Sequence, residues 1–296
     1  MPRALRYGMG WRSLQEFILA LEQRGELLRV SHPVDVELEA GCIADLLVKR
    51  GGPAVIFDQP RLGDGSISRY PLAMNLFGTR DRTNLALGVV EPKEIGEMMT
   101  GLMKPDIGGI LRRPWTGLGL LKQGISMAPR KVSRGKCQQV RMDNPDVTRL
   151  PIPTSWPQDG GPFMTLPLVV TSDPETGVHN LGMYRSQVFG PDEVGLHWQK
   201  HKHGADHAEA SDDSMPVAIC LGGPPQVIFS AISPLPDNLS EYEFAGLLSG
   251  RRLKITKCLT NDLWVPADCD FVIEGYTLPV SYTHLRAHET LRYRLS

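Results

Sequence analysis

The stretch LPLVVTSDPETGVHNLGMYRSQVFGPDEVGLHW, residues 166 to 198, decides the fold. It divides into short runs, Leu166 to Thr171, Asn180 to Phe189 and Val194 to Trp198, with Pro, Gly, Asp and Asn between them. Runs of this length, rich in β-branched and aromatic side chains and bounded by turn formers, are the pattern of strands joined by tight turns. Pro216 to Leu221 continues the series, so the chain beyond Cys137 reads as a β-rich barrel or sandwich.

Working outward, a helix beginning near Ser240 carries Tyr242, Phe244, Ala245, Leu247 and Leu248 before Gly250, and leads to strands at Leu253 to Cys258 and Asp270 to Gly275. Upstream, Ser13 and Glu16 form a capping-box pattern, and Leu14, Phe17, Ile18 and Leu21 share one helical face over about 14 to 24. A short strand, Leu27 to Val30, precedes a second helix carrying Leu38, Ile43, Leu46 and Leu47. Gly51-Gly52 ends it before the strand Ala54 to Phe57. Residues 1–103, closing on a helix over 92–103, thus form an alternating α/β unit. Residues 104–137 have no clean period and carry eight Lys or Arg against one Asp. They read as a basic linker or arm, commonly a solvated connector, with contact to a neighbouring subunit or an anionic membrane surface as the alternative. Residues 138–276 are the β-rich domain, and 277–296 a separate tail.

The 296 residues are 41% hydrophobic, enough for one large or two ordinary domains. Acidic and basic residues number 33 and 32, so nucleic acid is not the expected partner, because such binding usually leaves a basic excess. Five cysteines, far apart and never C-x-x-C, point to reduced thiols rather than a disulfide framework. No apolar run approaches the roughly 18 to 20 residues of a membrane span. The expected location is the cytoplasm.

Five of the eight histidines fall between 179 and 207. His197 and His201 are four apart, as are His203 and His207, but neither pair is an H-E-x-x-H, so a zinc hydrolase motif is weakly supported. His179, His201 and His207 fit satisfied or surface histidines. His197 differs, lying in the alternating run Val194 to Trp198, where its side chain opposes Leu196 and Trp198 and is placed for a cavity. Asn180 offers a carbonyl oxygen for a hard cation and Arg185 a planar fork for a carboxylate. Five residues of separation put these two on opposite faces of a regular strand unless a bulge intervenes, which Gly182 would permit; alternatively, Gly182 admits a flat ligand. Glu241, in the first turn of a helix, reads on its own as a complement to the helix dipole.

Together SLQEFILALEQRGELLRV with HPVD, GGPAVIF, AMNLFGT, CQQV, LPIPTSWPQDGGPF, NLGMYR, LHWQKHKHGA and PLPDNLSEYEFAGLL, spread from Ser13 to Tyr276, resemble the UbiD-type decarboxylases. The resemblance implies an α+β chain: an N-terminal α/β unit, then a split β-barrel of the flavin reductase type. It implies prenylated FMN and a manganese or magnesium ion held by Asn180, His197 and Glu241, with potassium as a further ion. Cofactor contacts map to Met183, Tyr184, Arg185, His197, Trp198, Gln199, Lys202 and His203. Lys202 stands where close relatives place Arg, and His203 where Gly is common.

The implied reaction is nonoxidative removal of carbon dioxide from an aromatic acid, most typically 4-hydroxy-3-polyprenylbenzoate in ubiquinone synthesis. Arg185 is the implied catalytic residue, orienting the substrate carboxylate and tuning a neighbouring acid. The alternatives are a related decarboxylase of a menaquinone precursor, phenolic or other unsaturated acid, or a noncatalytic flavin-binding fragment. Implied partners are a flavin prenyltransferase that supplies the cofactor, further copies of the chain, and, peripherally, the inner membrane. The family's paired acids in E-G-P-x-G-[D/E] do not occur in this sequence, Glu274 matches an earlier strand position, and TLPVSYTHLRAHETLRYRLS is expected to lie outside the family pattern. The expectation is therefore a chain that forms much of the flavin and metal site but, without the general acid and the family's C-terminal domain, does not turn over by itself.

Overall fold

The structure, a computed structural model, describes residues 10–103, 114–197, 214–236, 239–277 and 291–295. Helix α1 (Leu14–Gln23) starts where Ser13 Oγ accepts the Glu16 N–H. The Glu16 carboxylate reaches back one residue further than a capping box requires, to the Arg12 N–H at 2.6 Å. Strand β1 (Leu27–Asp35), helix α2 (Glu39–Lys49) and strand β2 (Ala54–Arg61) make a βαβ unit, with β1 and β2 parallel and β3 (Leu72–Met74) antiparallel to β2. The register shifts between Val30 and Pro33, where proline lacks an N–H for the ladder. Leu38, expected inside the second helix, is instead its N-cap at φ 64°. Helices α3 (Arg80–Leu87) and α4 (Lys93–Met103) complete the unit.

Part of the expected basic arm is ordered structure. Pro114–Met127 is a helix, α5, and Arg130–Val132 a strand, β4, parallel to β11 (Lys254–Lys257), which also pairs with β12 (Trp264–Pro266). Three glycines hide the helix from periodicity; the packing that holds it is tertiary. Helix α7 (Glu241–Ser249) crosses it at Gly246, where a Cβ would lie 2.2 Å from the Ser126 carbonyl oxygen, so only glycine admits the approach.

The β-rich region is one antiparallel eight-stranded sheet: β5 (Phe163–Met164), β6 (Leu168–Ser172), β7 (His179–Met183), β8 (Ser186–Val188), β9 (Glu193–Leu196), β10 (Pro216–Leu221), β13 (Phe271–Thr277) and β14 (Leu291–Leu295). Its order is β5-β8-β9-β14-β13-β10-β6-β7, and among the described residues the ladder is open, with β5 and β7 at its edges. Alternation gives the sheet two apolar faces. Leu168, Val170, Leu181, Ala218 and Cys220 pack towards α6 (Pro225–Ser230) and α7, while Val169, Val194, Leu196, Val217, Ile219 and Ile273 form the opposite core.

Among the described residues, the α/β unit packs directly against α6, the helix that covers one face of this sheet. Phe17 stacks on Phe77 at 5.6 Å, and Phe77 meets Phe229 edge-on at 5.2 Å. The fully buried Gln226 donates from Nε2 to the Ala86 carbonyl at 2.8 Å. Four of the five cysteines, distant in sequence, also converge: Cys137, Cys220, Cys258 and Cys269 pack in one cluster, all as free thiols. Burial pushes the Cys137 thiol up to about 12, which keeps it protonated and unreactive.

Candidate active site

Strand β7 is the edge on which the candidate site is built. Its pairing with β6 is regular, Thr171 opposite Asn180 through Leu168 opposite Met183, so Gly182 makes no bulge. Nor is its backbone bare for a flat ligand: a Cβ there would lie 2.4 to 2.5 Å from the Tyr184 ring, so glycine makes room for that ring. The long run expected over Asn180 to Phe189 breaks instead at Tyr184-Arg185, a corner between β7 and β8. This corner, not a bulge, frees Arg185 from the alternation that would have set it opposite Asn180.

As an edge, β7 needs partners for its outward N–H groups. Met183 donates to the Ala231 carbonyl at 3.3 Å, and Leu181 donates to Glu241 Oε2 at 3.3 Å. The first turn of α7 divides its two acids between tasks. Glu243 completes the capping box with Ser240, so Glu241 is not needed for the cap, and its carboxylate meets the backbone of Leu181, the residue after Asn180. Asn180 is buried, and its Nδ2 faces the Tyr184 hydroxyl at 3.5 Å, which leaves Oδ1 as the acceptor end of the amide.

His197, just past β9, donates its backbone N–H to the Arg185 carbonyl at 3.2 Å. Burial lowers the His197 pKa, and the nearby Arg185 charge adds to the effect, so the neutral imidazole that can ligate a metal is favoured. The Arg185 guanidinium lies 3.7 Å from the centroid of the Phe163 ring, and Phe163 packs 6.2 Å from the His197 ring. Arg185 Nη2 pairs with Asp159 Oδ1 at 2.9 Å.

The structure therefore sets Glu241 on the N–H of Leu181, the residue after Asn180, turns the Asn180 amide towards Tyr184, and ties His197 to the Arg185 backbone. Among the described residues, no group of three or more His, Cys, Asp or Glu side chains is arranged to hold a metal ion by itself. A cation here would be held by the carboxylate, the amide oxygen and one imidazole, with further oxygens from a bound anionic cofactor. Hard oxygen donors with one nitrogen fit manganese or magnesium better than zinc or copper. Trp198, Gln199, Lys202, His203 and the remaining clustered histidines His201 and His207 lie outside the described residues. His179 is a satisfied histidine: Nε2 accepts the Trp264 N–H at 3.1 Å, and Nδ1 faces the Gly177 carbonyl at 3.1 Å. Glu274 accepts from the backbone N–H groups of Leu259 and Thr260, a turn-stabilising role. Asp159 and Phe163 were not singled out from the sequence, although Asp159 is the sole acid between Asp146 and Asp173.

Comparison with known proteins identifies this architecture. Residues 130–289 match the 3-octaprenyl-4-hydroxybenzoate carboxy-lyase Rift-related domain, and residues 18–100 match the N-terminal domain of the same carboxy-lyases. The chain belongs to the UbiD family. An uncharacterised protein of Archaeoglobus fulgidus is 42% identical over 272 residues, which cover 90% of this chain and 55% of that protein. The vanillic acid decarboxylase of Sedimentibacter hydroxybenzoicus in its closed form superposes with a TM-score of 0.78 at 28% identity, covering 96% of this chain and 61% of that one. The UbiD-class enzyme HmfF of Pelotomaculum thermopropionicum, solved with FMN, gives a TM-score of 0.74 at 25% identity over 96% and 61% of the two chains. The UbiD chain described here thus spans little more than half the length of these relatives. The Rift-related match runs into the segment set apart as a tail, and Leu291–Leu295 lies in the sheet between β9 and β13.

Proposed function

We propose that this UbiD chain binds prenylated FMN and a manganese or magnesium ion beside strand β7, within an enzyme that decarboxylates an aromatic acid without oxidation. One observation carries the reading: Glu241 turns from its own helix terminus, where Glu243 does the capping, to the β7 backbone next to Asn180. A first-turn acid serving only the helix dipole would gain nothing from that placement. The FMN complex of the HmfF relative supports a flavin at this fold.

Asn180 and Glu241 would hold the ion through oxygen, and His197 through its neutral imidazole. Arg185 would bind the substrate carboxylate and hold it against the wall that contains Phe163. When bound, the prenylated flavin supplies an electron sink for the carbon that loses carbon dioxide. The substrate proposed is 4-hydroxy-3-polyprenylbenzoate of ubiquinone synthesis. The structural likeness to a vanillic acid decarboxylase favours a second reading, a smaller phenolic acid. The proposal also includes assembly of the chain into a homo-oligomer and a flavin prenyltransferase as the source of the cofactor. No helix among the described residues is long and apolar enough to cross a membrane, and contact with the inner membrane is proposed as peripheral.

The test loads the 296-residue chain with prenylated FMN and Mn²⁺, reading flavin by fluorescence quenching and metal by electron paramagnetic resonance. Each ligand should tighten binding of the other, and N180A or E241A should abolish that coupling. Flavin and Mn²⁺ binding independently of each other and of both residues would refute the site. Tighter binding of the polyprenylated acid than of vanillic acid to the loaded chain selects the first substrate, and the opposite preference selects the second.

A further inference from the structure

We propose that Asp159 and Phe163 are positioning residues that preset Arg185 to receive a carboxylate; the inference rests on the reading of Arg185 as the carboxylate-binding group. Arg185 is the most mobile type of side chain at this site, and its side chain is 45% exposed. Left to itself, such a side chain samples many rotamers and loses that freedom on binding a ligand. Here two restraints act in advance. The Phe163 ring covers one face of the guanidinium at 3.7 Å, and Asp159 Oδ1 accepts from Nη2 at 2.9 Å.

Both restraining groups are themselves fixed. Asp159 is 11% exposed at its side chain, and its second oxygen accepts the Trp156 N–H at 3.2 Å within a turn closed by the Asp159 N–H to the Trp156 carbonyl. Phe163 is buried, donates its backbone N–H to the Pro153 carbonyl, and pairs with Gln187 across β5 and β8. Arg185's other N–H groups make no bond among the described residues, so a planar fork remains open towards solvent. The same ring packs against His197, so one buried phenyl group sets the orientation of both Arg185 and the imidazole.

Asp159 also subtracts charge, and a rival role follows from that: a competitor that occupies Arg185 until substrate displaces it. The exposure of Arg185 decides against it. At a guanidinium nearly half in water the charge of one neighbour is heavily screened, whereas the loss of orientation is not. Removing the Asp159 charge should therefore weaken carboxylate binding rather than strengthen it.

The experiment measures benzoate and its uncharged isostere benzamide by calorimetry on the 296-residue chain, with and without FMN and Mn²⁺, for wild type, D159N and F163L. Benzoate affinity should fall about tenfold in each variant while benzamide affinity stays within twofold. Tighter benzoate binding in D159N, equal losses for both probes, or no benzoate binding by the wild type would each overturn the proposal. If F163L does not fold, D159N decides alone. A wild type that binds benzoate selectively through Asp159 but quenches no flavin would sink the flavin reading and leave the positioning role standing.

Discussion

Replacing Gly182 by alanine tests how the corner of β7 would hold the proposed metal site. The new Cβ would lie 2.4 Å from Tyr184 Cε2 and 2.5 Å from its Cζ and Oη. Nonbonded carbons settle at about 3.5 to 4.0 Å, so the ring must retreat by about 1 Å. Tyr184 has little room to do so, being 8% exposed and packed in a core with Met164, Val169 and Val188. Overpacking of this kind costs about 1–3 kcal/mol, a fall of roughly 2–10 °C in Tm for a chain of this size. The same retreat carries the Tyr184 hydroxyl away from the Asn180 Nδ2, and loss of a group that orients a ligand typically lowers metal affinity about 10- to 100-fold. Tyr184→Phe separates the two effects: it should weaken Mn²⁺ binding with little change in Tm. Gly182→Ala combined with Tyr184→Ala should cost about 1–3 kcal/mol less than the two single changes added, because the clash has no partner left. Additive stabilities within about 0.5 kcal/mol, or Mn²⁺ affinity unchanged in G182A, would refute this account.

Three further outcomes follow from other contacts. Glu241→Gln should reduce Mn²⁺ affinity at least tenfold with a stability loss below about 1 kcal/mol, whereas Ser240→Ala should cost about 1 kcal/mol by removing the cap and leave Mn²⁺ binding intact; paired denaturation and paramagnetic titrations check both. Gly246→Val should force α5 and α7 apart at the Ser126 carbonyl, lowering stability by more than about 2 kcal/mol and speeding hydrogen exchange in residues 114–127, and normal protection there would count against the crossing. Burial raises the Asp270 carboxyl above its ordinary value of 3.8, so its stabilising protonated form is fully present below that value and lost as pH rises through the raised one. Asp270→Asn should accordingly gain on wild type as pH rises across this window, read by denaturant melts at several pH values; a gain that shrinks would reverse the sign.

Local chemistry made much of the fold legible. Ser13, Ser240 and Gly250 marked helix ends through hydrogen bonds and a left-handed turn that need no distant partner, and the alternation in residues 166 to 198 marked strands through a period of two. Helix α5 was not legible because glycines erase its period and its packing partner, Gly246, lies more than a hundred residues away. The cysteine cluster escaped for the same reason: spacing along the chain says nothing about thiols that four separate segments bring together.

The candidate site shows the same division more sharply. Asn180, Arg185, His197 and Glu241 were named from residue type and family resemblance, yet periodicity placed Asn180 and Arg185 on opposite faces and left Glu241 to its helix. Both assignments assumed that each element continues undisturbed. A strand that ends at Met183 releases Tyr184 and Arg185 from the alternation, so one short segment presents an amide through Asn180, a ring over Gly182 and a cation towards Phe163. An edge strand has outward N–H groups to satisfy, and Glu241 satisfies one of them because Glu243 has already capped the helix. Neither the corner nor the edge is written in side-chain pattern; both depend on which backbone groups find partners in the folded chain. Chemistry gathers at this point because a strand's end is where successive side chains can face different directions while the strand behind them stays fixed.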